Sequence, residues 1–223
     1  MTVRGAPEVA HLYRPHAIAA STGWADSRHV DVLFPDELPG TETMGAGRLA
    51  EFATGRACAR QALRAIGAGD TPIPRAGRRV PVWPEGTTGS ISHIQGWCVA
   101  VAATLGPVAA IGIDVEEVER VRPAVAKRVL TPTELEAIAD ASEADQQLAT
   151  AIAFSAKEAF YKAHYQLDPR FIGFDVVHVE RLDDEQFRFH PASPELSAEV
   201  VARATGRLSI TDGRVTTAVA IET

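Results

Sequence analysis

The sequence predicts an α+β fold made of two halves, each with a long helix followed by several strands. Three observations carry that reading. Residues 44–66 set Leu49, Phe52, Ala59, Leu63 and Ile66 at helical spacing and stop at Gly67 and Gly69. Residues 97–113 hold no charged side chain, yet Gly106-Pro107 cuts the run in two. The Val, Ile and Thr on either side suit two buried strands better than a membrane span. Residues 207–210 and 214–221 alternate around Asp212-Gly213, the pattern of a hairpin.

The other elements follow in chain order. Pro15, Pro35 and Pro39, with a turn at Leu38-Pro39-Gly40-Thr41, break the first forty residues into strand and loop pieces. Residues 70–90 read as a loop rich in Pro, Gly and Arg, and 117–123 as a polar linker. Thr131-Pro132-Thr133-Glu134 is a helix start: Thr131 caps, Pro132 fits the first position and Glu134 stands at capping-box spacing. A second long helix is expected over about 148–164, after Asp145-Gln146-Gln147. Residues 174–181 and 186–190 alternate like strands, and 193–204 carry no decisive pattern.

The chain has 223 residues, enough for one large domain or two small ones. Its 46% hydrophobic and 23% charged content is that of a soluble globular protein. A formal charge of −7 argues against nonspecific nucleic-acid binding, because no global positive field recruits phosphates. Cys58 and Cys98, in a helical and a strand pattern, are expected as buried free thiols without a disulfide or metal spacing. Arg14, Pro15 and His16 interrupt the N-terminal stretch, so no signal peptide is expected and the location expected is cytoplasmic.

Two short segments carry the chemistry. Gly112-Ile113-Asp114-Val115-Glu116 ends an apolar run in two carboxylates. On a strand Asp114 and Glu116 share one face and Val115 points away. Such a pair is solvated, caps the next turn, or forms a metal site. In Phe154-Ser155-Ala156-Lys157-Glu158-Ala159-Phe160-Tyr161-Lys162, Glu158 and Lys162 stack at i and i+4 on a helix. A surface ion pair is the plain reading, but the surrounding apolar residues leave almost no solvated face. Three carboxylates and a lysine suit a hard cation with a phosphate ester.

Upstream, Arg56 sits seven residues from both Leu49 and Leu63, inside the apolar stripe. It either snorkels to the surface or grips an anion with its planar fork. Arg48 lies on a similar side; Arg60 and Arg64 read as a solvated edge. Arg75, Arg78 and Arg79 precede Trp83-Pro84-Glu85-Gly86 and Gly89-Ser90-Ile91-Ser92-His93. An exposed charge run and a satisfied turn histidine are the plain readings there. Close backbone approach to phosphate at the glycines is the other.

These segments together resemble the 4′-phosphopantetheinyl transferases of the long, Sfp-like or EntD-like class, over roughly residues 45–175. The family's G-I-D-x-E and W/F-[ST]-x-K-E-[AS]-x-x-K patterns are both matched, with Phe154 where Trp is frequent. The W-P-x-G-x-x-G-S-[IL]-[ST]-H segment is matched at 83–93. The resemblance implies a pseudo-twofold pair of α+β subdomains, 1–110 and 111–223, with the active site in the cleft between them. It implies transfer of the phosphopantetheine arm of coenzyme A to a serine of an acyl or peptidyl carrier protein. Asp114, Glu116 and Glu158 would hold Mg²⁺, or Mn²⁺ in its place. Glu158 would also be the base, and Lys162 would contact the pyrophosphate. Arg48, Arg56, Arg75, Arg78, Ser92, His93 and Lys157 would bind coenzyme A, with Lys157 either on phosphate or facing the carrier. Phe171-Ile172-Gly173-Phe174-Asp175 resembles a structural segment of the family. Lys127, Arg128 and apolar residues near Leu130 offer a docking patch to an acidic carrier.

The resemblance also implies a monomer, while the net charge and the break at Gly106-Pro107 argue against nucleic acid or a membrane as partner. Two alternatives stay open at this level: a Mg²⁺-dependent phosphohydrolase using the same carboxylates on water, and a non-catalytic coenzyme A or carrier-protein binding module. The carrier and pathway, whether polyketide, nonribosomal peptide, siderophore or fatty acid synthesis, are not encoded in these motifs.

Overall fold

A computed structural model describes residues 3–76 and 80–223. The chain separates into two compact units, Met1–Ile111 and Gly112–Thr223, one residue beyond the expected boundary.

The N-terminal unit contains β1 (Arg4–Gly5), α1 (Pro7–Ala10), β2 (Ala19–Trp24), α2 (Ala46–Ala65), β3 (Arg75–Ala76), β4 (Val80–Pro81), β5 (Thr87–Ile94) and β6 (Trp97–Thr104). Antiparallel pairing gives the order β1-β2-β6-β5, and β3 and β4 form a separate short ribbon. The helix lies on this sheet through small side chains. Cys58, Ala59, Ala62 and Leu63 pack with Ile73, Cys98, Ala100 and Ala102. Burying a side chain such as Leu63 contributes roughly 1.5–3 kcal/mol. Both cysteines are free and buried, and burial pushes the Cys98 thiol up to about 12.

Two expectations are corrected in this unit. Residues 87–94, whose first part was read as loop, form the long strand β5; its Thr, Gly and Ser dilute the apolar alternation that marks a strand. A methyl group at Gly89 would stand 2.5 Å from the Trp83 ring, so this glycine makes room for an indole. Arg60 is not a solvated edge but is 4% exposed, and its Nη1 donates to both Glu37 carboxylate oxygens at 2.9 and 2.6 Å. Glu37 also accepts from the amides of Ile73 and Phe34, each at 3.0 Å. Arg64 stays near the surface, 2.9 Å from Asp70.

Strand β7 (Val108–Glu117) runs into the C-terminal unit, which continues with α3 (Pro123–Val129), α4 (Pro132–Ala137), α5 (Glu143–Leu167), β8 (Val177–Arg181), β9 (Gln186–Pro191), α6 (Ala198–Ala202), β10 (Ala204–Thr211) and β11 (Arg214–Glu222). The sheet order is β7-β11-β10-β9-β8. As expected, Asp212-Gly213 turns β10 into β11, with Thr211 opposite Arg214. The capping box also forms: Glu134 N donates to Thr131 Oγ1 at 3.3 Å, and Thr131 N to Glu134 Oε2 at 2.6 Å. Helix α5 starts earlier than expected, because Ser142 accepts from the Asp145 amide at 3.2 Å and supplies a cap. Residues 174–176 form a 3₁₀ turn rather than the start of a strand, and 193–204 contain the short α6.

Helix α5 lies across its sheet. Ser155 Oγ and Thr217 Oγ1 share a buried hydrogen bond of 2.8 Å, and the Phe160 and Phe189 rings meet at 4.7 Å. No helix among the described residues is long and apolar enough to cross a membrane.

Candidate active-site residues in two groups

Strand alternation on β7 works as expected in the C-terminal unit. Ile113 and Val115 are buried at 0% and 1% exposure, while Asp114 and Glu116 share the opposite face with Gly112. That face receives α5 at very short range, since a methyl group at Gly112 would stand 1.9 Å from the Ala159 carbonyl oxygen. One turn further along α5, Lys162 Nζ donates to Asp114 Oδ1 at 2.7 Å and to the Ile113 carbonyl at 3.1 Å.

Glu116 and Glu158 complete the group. Burial first, then the Asp114 charge, raises the Glu116 carboxyl to about 7; Glu158 and Glu117 add to this and Lys162 opposes it. Burial likewise raises Glu158, with Asp114 adding and Lys162 opposing. One ammonium therefore does not balance the acids around it. Among the described residues no three His, Cys, Asp or Glu side chains stand in a group that could hold a metal ion. The donor set, oxygen-only and over-supplied with negative charge, fits a hard divalent cation.

Lys157 is a correction. It was expected to contact phosphate, but its side chain is 1% exposed. Its ammonium donates to the Val129 carbonyl at 2.7 Å, Glu134 Oε2 at 2.6 Å and the Phe174 carbonyl at 2.9 Å. All three donors are spent inside the unit, where they tie α5 to α3, α4 and the turn before β8. Glu134 Oε1 in turn accepts from the Val179 amide at 2.7 Å. Leu130, offered as part of a docking patch, packs with Val129 and Ala153 in the core instead. Lys127 and Arg128 are exposed on α3.

In the N-terminal unit the basic residues gather around Phe52. Arg48, Phe52 and Arg56 recur every four residues along α2. The guanidinium carbons of Arg56 and Arg75 lie 4.4 and 4.7 Å from the Phe52 ring centre. Arg56 is 5% exposed and donates through Nε to the Ile73 carbonyl at 2.7 Å. Burial first, with Arg75, Arg60 and Arg48 adding, lowers it to about 10 against the opposing pull of Glu37. Arg56 stays charged at neutral pH, without a carboxylate of its own among the described residues. Such a buried surplus of positive charge suits an anion.

His93 is exposed on β5 and joins this group through a close contact between its Nε2 and Arg48 Nη1. Ser92 is 5% exposed and, by strand alternation, lies on the face of β5 opposite His93. Arg78 lies outside the described residues. The sequence reading missed Glu37, which holds Arg60 and the Ile73 amide, and Glu51, which lies beside Arg48 and His93. Glu37 sits in a stretch without periodicity. Glu51 carried one local signal, its i,i+3 spacing from Arg48.

Carboxylates with a lysine in one unit and a surplus of arginines in the other are the equipment of an enzyme that handles phosphate groups. Comparison with known proteins makes the class specific. Residues 38–103 match the family model described as the 4′-phosphopantetheinyl transferase N-terminal domain, and residues 110–219 that of the 4′-phosphopantetheinyl transferase superfamily. The chain is 32% identical over 211 residues to 4′-phosphopantetheinyl transferase Svp of Streptomyces mobaraensis, spanning 89% of this chain and 86% of that protein. It is 31% identical over 199 residues to 4′-phosphopantetheinyl transferase PptT of Mycobacterium tuberculosis, covering 84% and 85%. With enterobactin synthase component D of Escherichia coli it shares 36% identity over 151 residues, 66% of this chain and 70% of that protein.

The chain belongs to the 4′-phosphopantetheinyl transferase superfamily. Its enzyme class is the one the paired motifs led us to expect, and the phosphohydrolase and binding-module readings give way to it.

Proposed function

We propose that the chain transfers 4′-phosphopantetheine from coenzyme A to a serine hydroxyl of an acyl or peptidyl carrier protein, with Mg²⁺, or Mn²⁺ in its place, and releases 3′,5′-ADP. The observation that carries this reading is the ion pair between Lys162 and Asp114 with Glu116 and Glu158 crowded beside it. Asp114, Glu116 and Glu158 would hold the metal. When bound there, it would supply charge to polarise the pyrophosphate.

The chain's own residues divide the remaining work. Arg48, Arg56, Arg75 and His93 receive the nucleotide end of coenzyme A and its 3′-phosphate; Arg78 and Ser92 belong to the same proposal. Lys162 places its ammonium against the pyrophosphate oxygens and stabilises charge that grows on them. Glu158 takes the proton of the attacking serine, directly or through one water. The serine oxygen bonds to the phosphorus that bears pantetheine, and the bond from that phosphorus to the bridging oxygen breaks. No covalent enzyme intermediate is needed, so the residues required are acids and cations that position and neutralise. Exposed Lys127 and Arg128 on α3 offer positive charge to an acidic carrier. Both residue groups lie in one chain, so the reading needs no second copy and takes the enzyme as a monomer.

The test is intact mass of apo carrier proteins after incubation with the chain, coenzyme A and Mg²⁺, beside an EDTA control. A mass gain of one phosphopantetheine group that EDTA abolishes is expected. A panel drawn from polyketide, nonribosomal peptide, siderophore and fatty acid systems identifies the carrier. No gain on any carrier, with coenzyme A still bound, would overturn the reading.

A further inference from the structure

Glu51 puts a negative charge inside the basic group of the N-terminal unit. Its side chain is 16% exposed, and Oε2 lies 3.4 Å from Arg48 Nη1 and 3.6 Å from His93 Nδ1. Oε1 accepts from the Gly96 amide at 3.1 Å. The Gly96 carbonyl accepts in turn from the Ala25 amide at 2.8 Å. Glu51 therefore grips the turn between β5 and β6 with one oxygen and reaches Arg48 and His93 with the other. For a site that is to receive a phosphate, a carboxylate is the wrong sign unless it does something else.

We infer that Glu51 is a positioning residue that orders Arg48 and His93 for a phosphate of coenzyme A. The inference rests on the reading given under Proposed function and adds to it the residue that organises the basic group. The geometry describes how. In the tautomer that carries its hydrogen on Nδ1, His93 turns that hydrogen toward the Glu51 carboxylate 3.6 Å away, and its Nε2 keeps the lone pair that meets Arg48 Nη1. Arg48 is then held by two partners through a single nitrogen. Its Nε and Nη2 have no hydrogen-bond partner among the described residues and are left for an anion. Fixing a long, flexible side chain before the ligand arrives removes an ordering cost from binding.

The two possible effects of Glu51 have opposite signs, which makes the inference testable. If Glu51 acts only as a nearby charge, neutralising it strengthens anion binding. If it positions Arg48 and His93, neutralising it weakens binding. Glu51→Gln keeps an oxygen for the Gly96 amide and nearly the same volume. Calorimetric titration of Glu51→Gln, Glu51→Ala and Arg48→Ala against coenzyme A and 3′-dephospho-coenzyme A separates the cases.

For Glu51→Gln we expect about 5- to 10-fold weaker binding of coenzyme A, a less than twofold change for the dephospho form, and a raised KM with kcat retained. Unchanged or tighter coenzyme A binding overturns the inference. So does an equal loss for both ligands, which would make Glu51 a brace of the fold alone. Glu51→Asp, which keeps the charge but shortens the reach, should show the same selective loss and serves if the glutamine variant is unstable. Coenzyme A binding that is unmoved by Arg48→Ala would overturn the basic-group reading itself, and this inference with it.

Discussion

Gly112 and Ala159 lie backbone to backbone: a methyl group at Gly112 would stand 1.9 Å from the Ala159 carbonyl oxygen and 3.2 Å from the Ala163 amide nitrogen. The contact seats α5 on the acidic face of β7 and brings Lys162 onto Asp114. The glycine of G-I-D-x-E is therefore a matter of clearance between strand and helix.

Gly112→Ala must push β7 and α5 apart. We expect a loss of about 1–3 kcal/mol in urea denaturation, as overpacking of a tight contact typically costs. Transfer activity should fall with it, because Lys162 and Glu158 move away from Asp114. A variant of normal stability and rate would show that the backbone contact does not position the site.

Glu158→Gln keeps the shape of the side chain but removes a proton acceptor and an anionic oxygen. The transfer rate on apo carrier protein should fall about 100- to 10,000-fold, the range for losing a general base. Coenzyme A affinity should remain within about threefold, since the basic group of the other unit is untouched. Near-normal turnover would remove Glu158 from both of its proposed roles.

Lys157→Met should act on stability instead. The substitution leaves the Glu134 carboxylate buried without its ammonium partner, which typically costs about 3–5 kcal/mol. Adding Glu134→Gln to it should recover part of that loss, and the double-mutant cycle measures the coupling. A Lys157 variant that folds normally yet binds coenzyme A poorly would return this residue to the ligand set.

Arg56→Ala removes a buried cation stacked on Phe52. Coenzyme A should bind about tenfold or more weakly, as expected for loss of a charge-assisted hydrogen bond. The salt dependence of binding should also become shallower. An unchanged dissociation constant would assign Arg56 to holding the Ile73 carbonyl alone.

His164 sets a limit on acid stability. It is 3% exposed, its Nδ1 has no hydrogen-bond partner among the described residues, and burial lowers its pKa from the usual 6.5, with Arg170 adding and Asp168 opposing. Above about pH 6.5 the ring is neutral in both folded and unfolded chains and costs nothing. As pH falls below that value, the unfolded chain binds the proton more readily. Stability then declines until the folded pKa is also passed. His164→Leu should flatten the dependence of the urea midpoint between pH 7.5 and 5.5; an unaltered slope would assign the acid sensitivity to other groups.

Local patterns were legible wherever periodicity or cap chemistry dominates. Alternation alone put Asp114 and Glu116 on one face of β7. Helical spacing found α2 and α5, and Asp212-Gly213 announced the last hairpin. Strand β5 escaped because Thr, Gly and Ser weaken its alternation. One of them, Gly89, serves Trp83, which needs the bare backbone beneath its ring.

The sequence by itself determined the family and which residue types meet at which spacing, since both are properties of the chain read in order. Only the tertiary structure decided which lysine of the second motif belongs to the site. Lys157 and Lys162 are separated by about 140° around the helix at 3.6 residues per turn. One meets Glu134, twenty-three residues before it on α4, and the other Asp114, forty-eight residues before it. The same holds for Arg60, which Glu37 draws into the core, and for Arg56, which has no such partner. A charged side chain states what it is able to bind; what lies opposite it after folding determines whether that capacity is spent within the protein or kept for a ligand.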